Sequence, residues 1–276
     1  VNLSAQNFDW ASENEYQNTA NSFYWKNRTP HKGYWQQDVW YKINAKLDAN
    51  TEVISGEEYI EYTNNSPNDL TQMYFHLYQN AVQPGGLVDQ LYDANKTPHT
   101  FGKYESQKLG TEIFEVRINE QKVEAQVDGT IMKIKLPESL KSGSKVNVYV
   151  RFKTYFDRGT IRRRMKVYDH HGFKHFNGVH WYPRISVYDK KFSWEHDPHI
   201  GKEFYGNFGQ YDVNLSLPND FICEATGKNM NRSEVLPAEL WKKIQIKNFK
   251  DKPLGSQPSV VVVPNGTYKT WKFHAI

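Results

Sequence analysis

A single cysteine, Cys223, occurs among the 276 residues. One cysteine excludes an internal disulfide framework and any cysteine-rich zinc site built from one chain. Long apolar runs are also lacking, since the longest, residues 260–263, has only the length of a strand. A helix that spans a bilayer needs roughly 20 apolar residues, so we predict no membrane span. We predict that Cys223 is a small apolar residue of the core.

Charge of one sign is equally scarce. The formal net charge is +4, and the basic residues are mostly interleaved with acidic ones. Such a balance gives little reason to expect a nucleic-acid partner, and we predict none. The sequence starts at Val1 without a basic and then apolar leader. This start fits a processed exported protein or a trimmed chain, and we expect a secreted or periplasmic bacterial protein.

Hydrophobic periodicity divides the sequence into two parts. Residues 1–36 are polar and rich in aromatics with no sustained period, which predicts an arm. From Gln37 apolar and polar residues alternate, and about a dozen short strands separated by turn formers are predicted up to residue 269. The fold class is therefore all-β, a large sandwich of two mostly antiparallel sheets. Strands are predicted at 221–226, 244–249 and 260–263, and a short helix at 87–94.

Two separated groups of short motifs resemble the amino-terminal β domain of the aminopeptidase N-type gluzincins, a family of zinc peptidases. The later group consists of residues 180–184 (HWYPR), 187–189 (VYD), 203–213 (EFYGNFGQYDV) and 225–227 (ATG). The earlier group consists of residues 56–60 (GEEYI), 64–67 (NNSP) and 75–78 (FHLY). Both occur in the order that the family has.

This resemblance implies a saddle-like domain that packs against a separate zinc domain and caps one side of its cleft. The parent enzyme would hydrolyse amino-terminal peptide bonds with zinc-activated water, so zinc is expected in the parent and no cofactor in residues 1–276. The expected partners are the chain's own C-terminal peptidase domain and, indirectly, the peptide substrate. Residues 270–276 resemble the junction to the zinc domain. The resemblance thus places Trp271 and Phe273 at the domain interface.

The motifs that carry catalysis in this family are absent. A gluzincin needs H-E-x-x-H, in which two imidazoles on adjacent helical turns bind zinc beside a glutamate base. None of the ten histidines is followed by glutamate. The family's Gly-x-Met-Glu-Asn strand fails the same check, because none of the four methionines precedes a glutamate. We therefore predict no catalytic residue and no metal ligand in this chain, which should be inactive alone.

In the family, a loop of the β domain supplies a glutamine that holds the substrate's amino terminus. Here the corresponding neighbourhood offers His175 or His180, followed by Trp181, and no glutamine. We take these three residues as the substrate-proximal loop. The departure from glutamine indicates either altered specificity in the parent enzyme or a subfamily that uses this loop differently.

Two further clusters have competing interpretations. Six histidines lie within thirty residues, at positions 170, 171, 175, 180, 196 and 199. They are either metal ligands or structural residues, and we favour the structural role because no carboxylate pattern completes a ligand set. The basic residues at 158, 162, 163, 164 and 166 either grip an anion or form a solvated loop. The loop is favoured because no aromatic residue is interleaved with the arginines.

A different class of function stays open. The aromatic residues of the stretch 178–227 would serve as a platform in a free-standing β-sandwich module that binds glycan or peptide. Packing inside the sandwich and at an interface is the favoured interpretation, because alternate strand residues must point inward. A family member whose zinc domain has lost its ligands and acts as a scaffold is the third possibility.

Overall fold

The computed structural model describes residues 20, 32–161, 165–200, 205–248, 252–256 and 262–276. The chain forms two compact units, Val1–Trp35 and Gln36–Ile276. Nearly all of the predicted arm lies outside the described residues. The second unit contains every strand and helix that the structure describes.

Regular structure in this unit is dominated by strands. They are β1 (Asp38–Asp48), β2 (Val53–Thr63), β3 (Leu70–His76), β4 (Thr111–Ile118), β5 (Gln121–Val123), β6 (Ala125–Asp128), β7 (Ile131–Leu140), β8 (Lys145–Tyr155), β9 (Met165–His170), β10 (Phe173–Gly178), β11 (Arg184–Ile185), β12 (Tyr188–Asp189), β13 (Ser193–Trp194), β14 (Gln210–Pro218), β15 (Lys228–Asn229) and β16 (Tyr268–Ala275). The helices are α1 (Leu87–Ala94), α2 (Arg232–Val235) and α3 (Ala238–Lys243), with 3₁₀ turns at Tyr78–Ala81, Glu105–Gln107 and Ile246–Asn248. No described helix has the length and apolar character needed to cross a bilayer.

The main sheet has eight strands in the order β15-β16-β14-β1-β2-β8-β4-β5. Its pairs are antiparallel except for β1 and β14, which run parallel. A four-stranded sheet has the order β11-β3-β7-β6, and β9–β10 and β12–β13 form two small hairpins. The prediction of an all-β, mostly antiparallel fold is confirmed. The predicted helix at 87–94 is also correct.

The core follows from strand alternation. In β1 every second side chain from Val39 to Leu47 is buried, while the intervening polar ones face outward. The two larger sheets meet at Trp194, whose ring lies 6.2 Å from that of Tyr62 in β2 and 5.9 Å from that of Tyr74 in β3. Large buried aromatic rings of this kind contribute much of the apolar area that stabilises a sandwich.

Strand β16 buries the two aromatic residues near the C-terminus that the sequence assigned to an interface. Trp271 and Phe273 are 0% and 3% exposed and belong to a core cluster of this chain. The main sheet therefore continues to Ala275, past the boundary at 269 that the sequence suggested. Because β16 pairs with β14 over eight residues, its inward side chains are covered by the chain itself. These two side chains therefore do not form an exposed apolar surface.

Two predicted strands are wrong. Residues 221–226 are irregular, and residues 244–248 include a 3₁₀ turn that follows α3, while residue 249 lies outside the described residues. Phe221 and Cys223 still pack against the core cluster without strand pairing, and Ile246 is 83% exposed. Burial raises the pKa of the half-buried Cys223 thiol to about 11. Most of the predicted strand 260–263 lies outside the described residues.

Glu58 in β2 breaks the rule that core positions are apolar. It is 0% exposed, between Ile43 of β1 and Val150 of β8. Neither carboxyl oxygen has a hydrogen-bond partner among the described residues. Burial raises its pKa well above the ordinary value of 4.5, since the charged form is poorly solvated there. The folded chain therefore holds this carboxyl in its protonated form when the unfolded chain has already lost the proton.

Replacing this group should change how stability depends on pH. Because the folded pKa is raised, Glu58 costs stability as pH rises above about 4.5, by up to about 1.4 kcal/mol per pH unit until the folded pKa is reached. The free energy of unfolding of Glu58→Gln, measured with urea, should therefore rise relative to that of the wild type from pH 4 to pH 7. The exposed Glu138→Gln is the control. Equal pH dependence in wild type and Glu58→Gln would contradict this expectation.

Candidate functional site

The two sequence stretches that resemble the peptidase family meet in the structure. Strand β11, from the later stretch, pairs with β3 of the earlier stretch, so that Arg184 lies opposite His76. The Ile185 N–H donates to the Tyr41 hydroxyl of β1 at 3.1 Å, and the Ser186 N–H donates to the Tyr74 carbonyl at 2.8 Å. Residues more than a hundred positions apart are thereby held together where the edge strand β11 of the four-stranded sheet contacts the central strand β1 of the main sheet.

Three tyrosines form the inner layer of this junction. The Tyr41 and Tyr211 rings stack at 4.7 Å, and the Tyr182 ring meets both edge-on, at 5.7 and 6.1 Å. Edge-to-face and offset arrangements of this kind are favourable because the ring edge is positive and its face negative. Burial raises the pKa of Tyr41 and Tyr182 well above the ordinary value, so both hydroxyls stay neutral. The layer is therefore a source of hydrogen bonds and contact area, not of charge.

Arg184 lies beside these rings. One guanidinium nitrogen donates to the Asn207 carbonyl at 3.4 Å. A Cβ atom on Gly206 would lie 1.8 Å from Arg184 Nη2, so any larger residue there would require the guanidinium group to move.

An outer layer surrounds Tyr78, which is 3% exposed. His76 stacks on its ring at 5.1 Å with an angle of 10°. His180 lies at 4.4 Å and His199 meets the ring edge-on at 5.1 Å. We call these four residues the Tyr78 cluster. It brings together two of the six clustered histidines and adds His76.

His76 is the buried histidine of the cluster. Its Nε2 lies 2.6 Å from Glu195 Oε2, while its Nδ1 is buried without a hydrogen-bond partner in the described part of the chain. Burial lowers the pKa of His76, and the nearby Glu195 carboxylate opposes that shift. The ring is therefore neutral at pH 7, and its proton is on Nε2, where it donates to the carboxylate.

The loop that carries His180 and Trp181 is fixed by backbone contacts. Gln79 Nε2 donates to the carbonyls of Val179 and His180 at 2.9 and 3.0 Å. Thr154 Oγ1 donates to the Trp181 carbonyl at 2.7 Å. His180 has a φ of +56°, a left-handed conformation that histidine adopts more readily than most residues. This loop is rigid enough to present both half-buried side chains in one orientation.

His175 lies in a different place. It stands on β10 of the small hairpin, and its ring is 6.1 Å from that of Tyr168 on β9. Of the two candidates for the substrate-proximal position, only His180 belongs to the Tyr78 cluster. The sequence left both open.

The other clustered histidines are dispersed. His170 and His171 contact each other at the turn of the β9–β10 hairpin, at 4.2 Å between rings. His196 packs edge-on against Tyr74 at 5.0 Å. Each of these rings has an aromatic neighbour, as expected for histidines that pack or lie at the surface.

One group among the described residues has the composition of a metal site, and it involves none of the six histidines. Ligand atoms of Asp89, Asp93 and His99 lie within 4.8 Å of one another beside α1. His99 Nε2 is already 2.6 Å from Asp89 Oδ1, and the Gly85 N–H donates to Asp89 Oδ2 at 2.7 Å. Two carboxylates and one imidazole do not match the two-histidine, one-glutamate set of a gluzincin. These residues therefore do not fit a gluzincin zinc site.

Arg158, the first of the basic residues, is paired within the chain. It forms ion pairs with Glu52 and, at 2.8 Å, with Asp169, while Lys174 contacts Glu52 at 2.8 Å. These contacts lower the pKa of Glu52, chiefly through the hydrogen bond from Arg158. Residues 162–164 lie outside the described residues. Arg158 therefore forms ion pairs at the surface of this chain.

The aromatic residues of the 178–227 stretch divide between core and surface. Tyr188 and Trp194 are buried, and Trp181, Tyr182 and Tyr211 are half-buried. Phe192, Tyr205 and Phe208 are the exposed ones, and Phe204 lies outside the described residues. Most of these rings thus pack inward, which is the interpretation that the sequence favoured.

Comparisons with known proteins find similarity among solved structures. No protein-family model and no curated protein matches the chain. The chain is similar to an M1 zinc metallopeptidase from Deinococcus radiodurans, at 12% identity and a TM-score of 0.42, over 87% of this chain and 39% of that chain. A single-residue mutant of an M1 zinc metallopeptidase from Deinococcus radiodurans, bound to a Tyr-Ser-Ala substrate, matches with the same values.

A two-domain M1 zinc metallopeptidase mutant bound to L-arginine matches at 12% identity and a TM-score of 0.44, over 88% of this chain and 40% of that chain. This chain is therefore similar, over most of its length, to a part of these peptidases and spans about two-fifths of theirs.

The buried imidazole makes stability sensitive to acid. The pKa of His76 in the folded chain is below 6.5. The contribution of its neutral ring to the stability of the fold is therefore complete above pH 6.5 and is lost as pH falls towards the folded pKa. From pH 7.5 to pH 5, the free energy of unfolding measured by urea titration should fall less for His76→Gln than for the wild type. His175→Gln, on the small hairpin, is the matched control. A His76→Gln profile parallel to the wild type would refute a neutral buried His76.

Proposed function

We propose that this chain is the non-catalytic amino-terminal β domain of a zinc aminopeptidase whose zinc-binding domain lies in a further part of the same polypeptide. The contact between the two family-like sequence stretches carries this proposal. Strand β11 pairs with β3, and His180 lies against Tyr78, so motifs far apart in sequence build one junction. Because both motif groups contribute residues to one junction, we expect them to occur together in one chain.

The role that fits this junction is to cap one side of the cleft. Neither H-E-x-x-H nor Gly-x-Met-Glu-Asn occurs in the sequence, so the zinc, its general base and the main amine anchor would all belong to the other domain. Zinc bound there would activate the water that attacks the peptide bond. The residues of this chain would restrict access and orient the amino terminus of the substrate.

His180 and Trp181 are the residues proposed for that contact. Their backbone carbonyls are held by Gln79 and Thr154, which fixes the loop before any substrate arrives. An imidazole nitrogen accepts a hydrogen bond from an ammonium group, as a glutamine carbonyl does. His180 is thus suited to the place that glutamine has in the family. We further expect a bacterial protein located outside the cytoplasm.

The test is kinetic and uses the full-length gene product. Its hydrolysis of aminoacyl p-nitroanilides should be abolished by a metal chelator, and residues 1–276 alone should be inactive. His180→Ala should raise KM about tenfold with little change in kcat, since it removes a contact made equally in ground state and transition state. His180→Gln should restore KM to within about threefold of the wild type, because the amide replaces the lost acceptor.

His175→Ala is the matched control, since it removes the same side chain from the small hairpin. We expect its KM to stay within about twofold of the wild type. A full-length product without chelator-sensitive peptidase activity would refute the proposed function. An active enzyme in which His180→Ala and His175→Ala behave alike would refute the role of His180 only.

A further inference from the structure

The outward face of the main sheet carries a groove whose lining includes no residue of the Tyr78 cluster. Two adjoining cavities of about 530 Å³ each lie on this face and share Asn44, Asn214 and Thr270. Their lining comes from β4, β8, β2, β1, β14 and β16, and from α2 beside β16, so the groove runs across the strands. With neighbouring strands about 4.8 Å apart, six strands make a groove about 24 Å long.

The floor of the groove is built from neutral polar side chains held in register. Asn214 Nδ2 donates to Asn44 Oδ1 at 2.8 Å, and these residues are direct neighbours on β14 and β1. In the next row, Ser55, Ser216 and Thr270 line up across β2, β14 and β16 with Lys46 between them. Amides and hydroxyls both donate and accept hydrogen bonds. Such a floor suits a ligand rich in hydroxyl groups.

The walls of the groove are positively charged. Its lining includes five cations and two carboxylates. The cations are Lys46, Arg151, Lys153, Lys269 and Lys272, and the carboxylates are Glu57 and Glu234. The whole chain has a net charge of only +4, so an excess of three charges in one groove is a large share of the total. A ligand with regularly spaced anionic groups would complement it.

Exposed aromatic rings mark both ends. Phe114 is 43% exposed, with Lys153 Nζ 5.3 Å from its ring centroid. Tyr268, at the β16 side, is 40% exposed, with Lys46 Nζ 4.1 Å above its ring. Each ring thus has a lysine ammonium group within cation–π distance, which keeps that charge beside the groove.

We propose that this groove binds an acidic oligosaccharide, with its carboxylate or sulfate groups on the lysines and its hydroxyls on the asparagine and serine floor. An acidic peptide fits less well. Extended peptides bind to sheets mainly by adding to an edge, where backbone N–H and C=O groups are free. The groove crosses the paired interior strands, whose backbone groups already bond to each other, and so offers only side chains.

The experiment is calorimetric titration of the full chain at low salt with a hexameric oligogalacturonate. Neutral maltohexaose and a hexaglutamate peptide are the comparison probes. We expect binding of the uronate hexamer that weakens as salt is added, and no binding of the neutral sugar. Lys46→Ser combined with Lys153→Ser should weaken uronate binding at least about tenfold, because two charge-assisted contacts are lost.

Two further variants keep the outcome decisive. Lys122→Ser combined with Lys135→Ser removes the same charge from exposed positions that do not line the groove, and its affinity should stay within about twofold. Asn44→Leu should weaken uronate binding about fivefold through the lost floor contacts. An unaltered melting temperature shows that each variant folds.

Three results would overturn the proposal. The first is no binding of the uronate hexamer. The second is equal weakening by the groove pair and the control pair of lysine variants, which would mean that only net charge matters. The third is hexaglutamate binding as tight as uronate binding and insensitive to Asn44→Leu, which would assign the groove to acidic peptides.

Discussion

The hydrogen bond from the Ile185 N–H to the buried Tyr41 hydroxyl fixes the arrangement on which the rest of the structure depends. Tyr41 belongs to the centre of the main sheet, and Ile185 belongs to β11 at the edge of the four-stranded sheet. The segment between Tyr182 and Tyr188 therefore contacts both sheets at once. Without this contact, the Tyr78 cluster would lose one of its two sides, because His180 precedes the segment and His76 lies on the strand paired with it.

This constraint also sets the chemistry of the site. Burial around Tyr41 disfavours charge, which keeps Tyr182 neutral and holds Glu58 in its protonated form. The hydrogen-bonded pair His76 and Glu195 lies one layer further out, where Glu195 is partly exposed to solvent. A neutral inner layer with a polar outer one is suited to a rigid positioning surface.

Local patterns in the sequence predicted the parts of the fold that depend on local physics. The alternation in β1 was predictable because burial of one face of the strand determines it. In the helix at 87–94, only Val88 and Tyr92 pack, partly buried, against a small core cluster. Apolar residues also alternate at Ile244 and Ile246, yet the described residues 244–248 pair with no strand and contain a 3₁₀ turn after α3. A sheet requires a partner in register, and a single sequence does not reveal which partners are available.

The site itself was only partly predictable. His180 and Trp181 were found through the family-like motif, but His76 and Glu195 are 119 positions apart, and no local signal joins them. Trp271 and Phe273 were assigned to an interface because their segment resembles the family's domain junction. Strand β16 instead buries both within the main sheet. Contacts between residues far apart in the sequence determine both the His76–Glu195 pair and the burial of Trp271 and Phe273.

The measurement that tests the central claim most directly is the sequence of the gene beyond the codon for Ile276. We predict an open frame that encodes H-E-x-x-H within about 200 residues, the size of one further domain. A stop codon directly after Ile276 would contradict the proposed membership of a longer zinc peptidase.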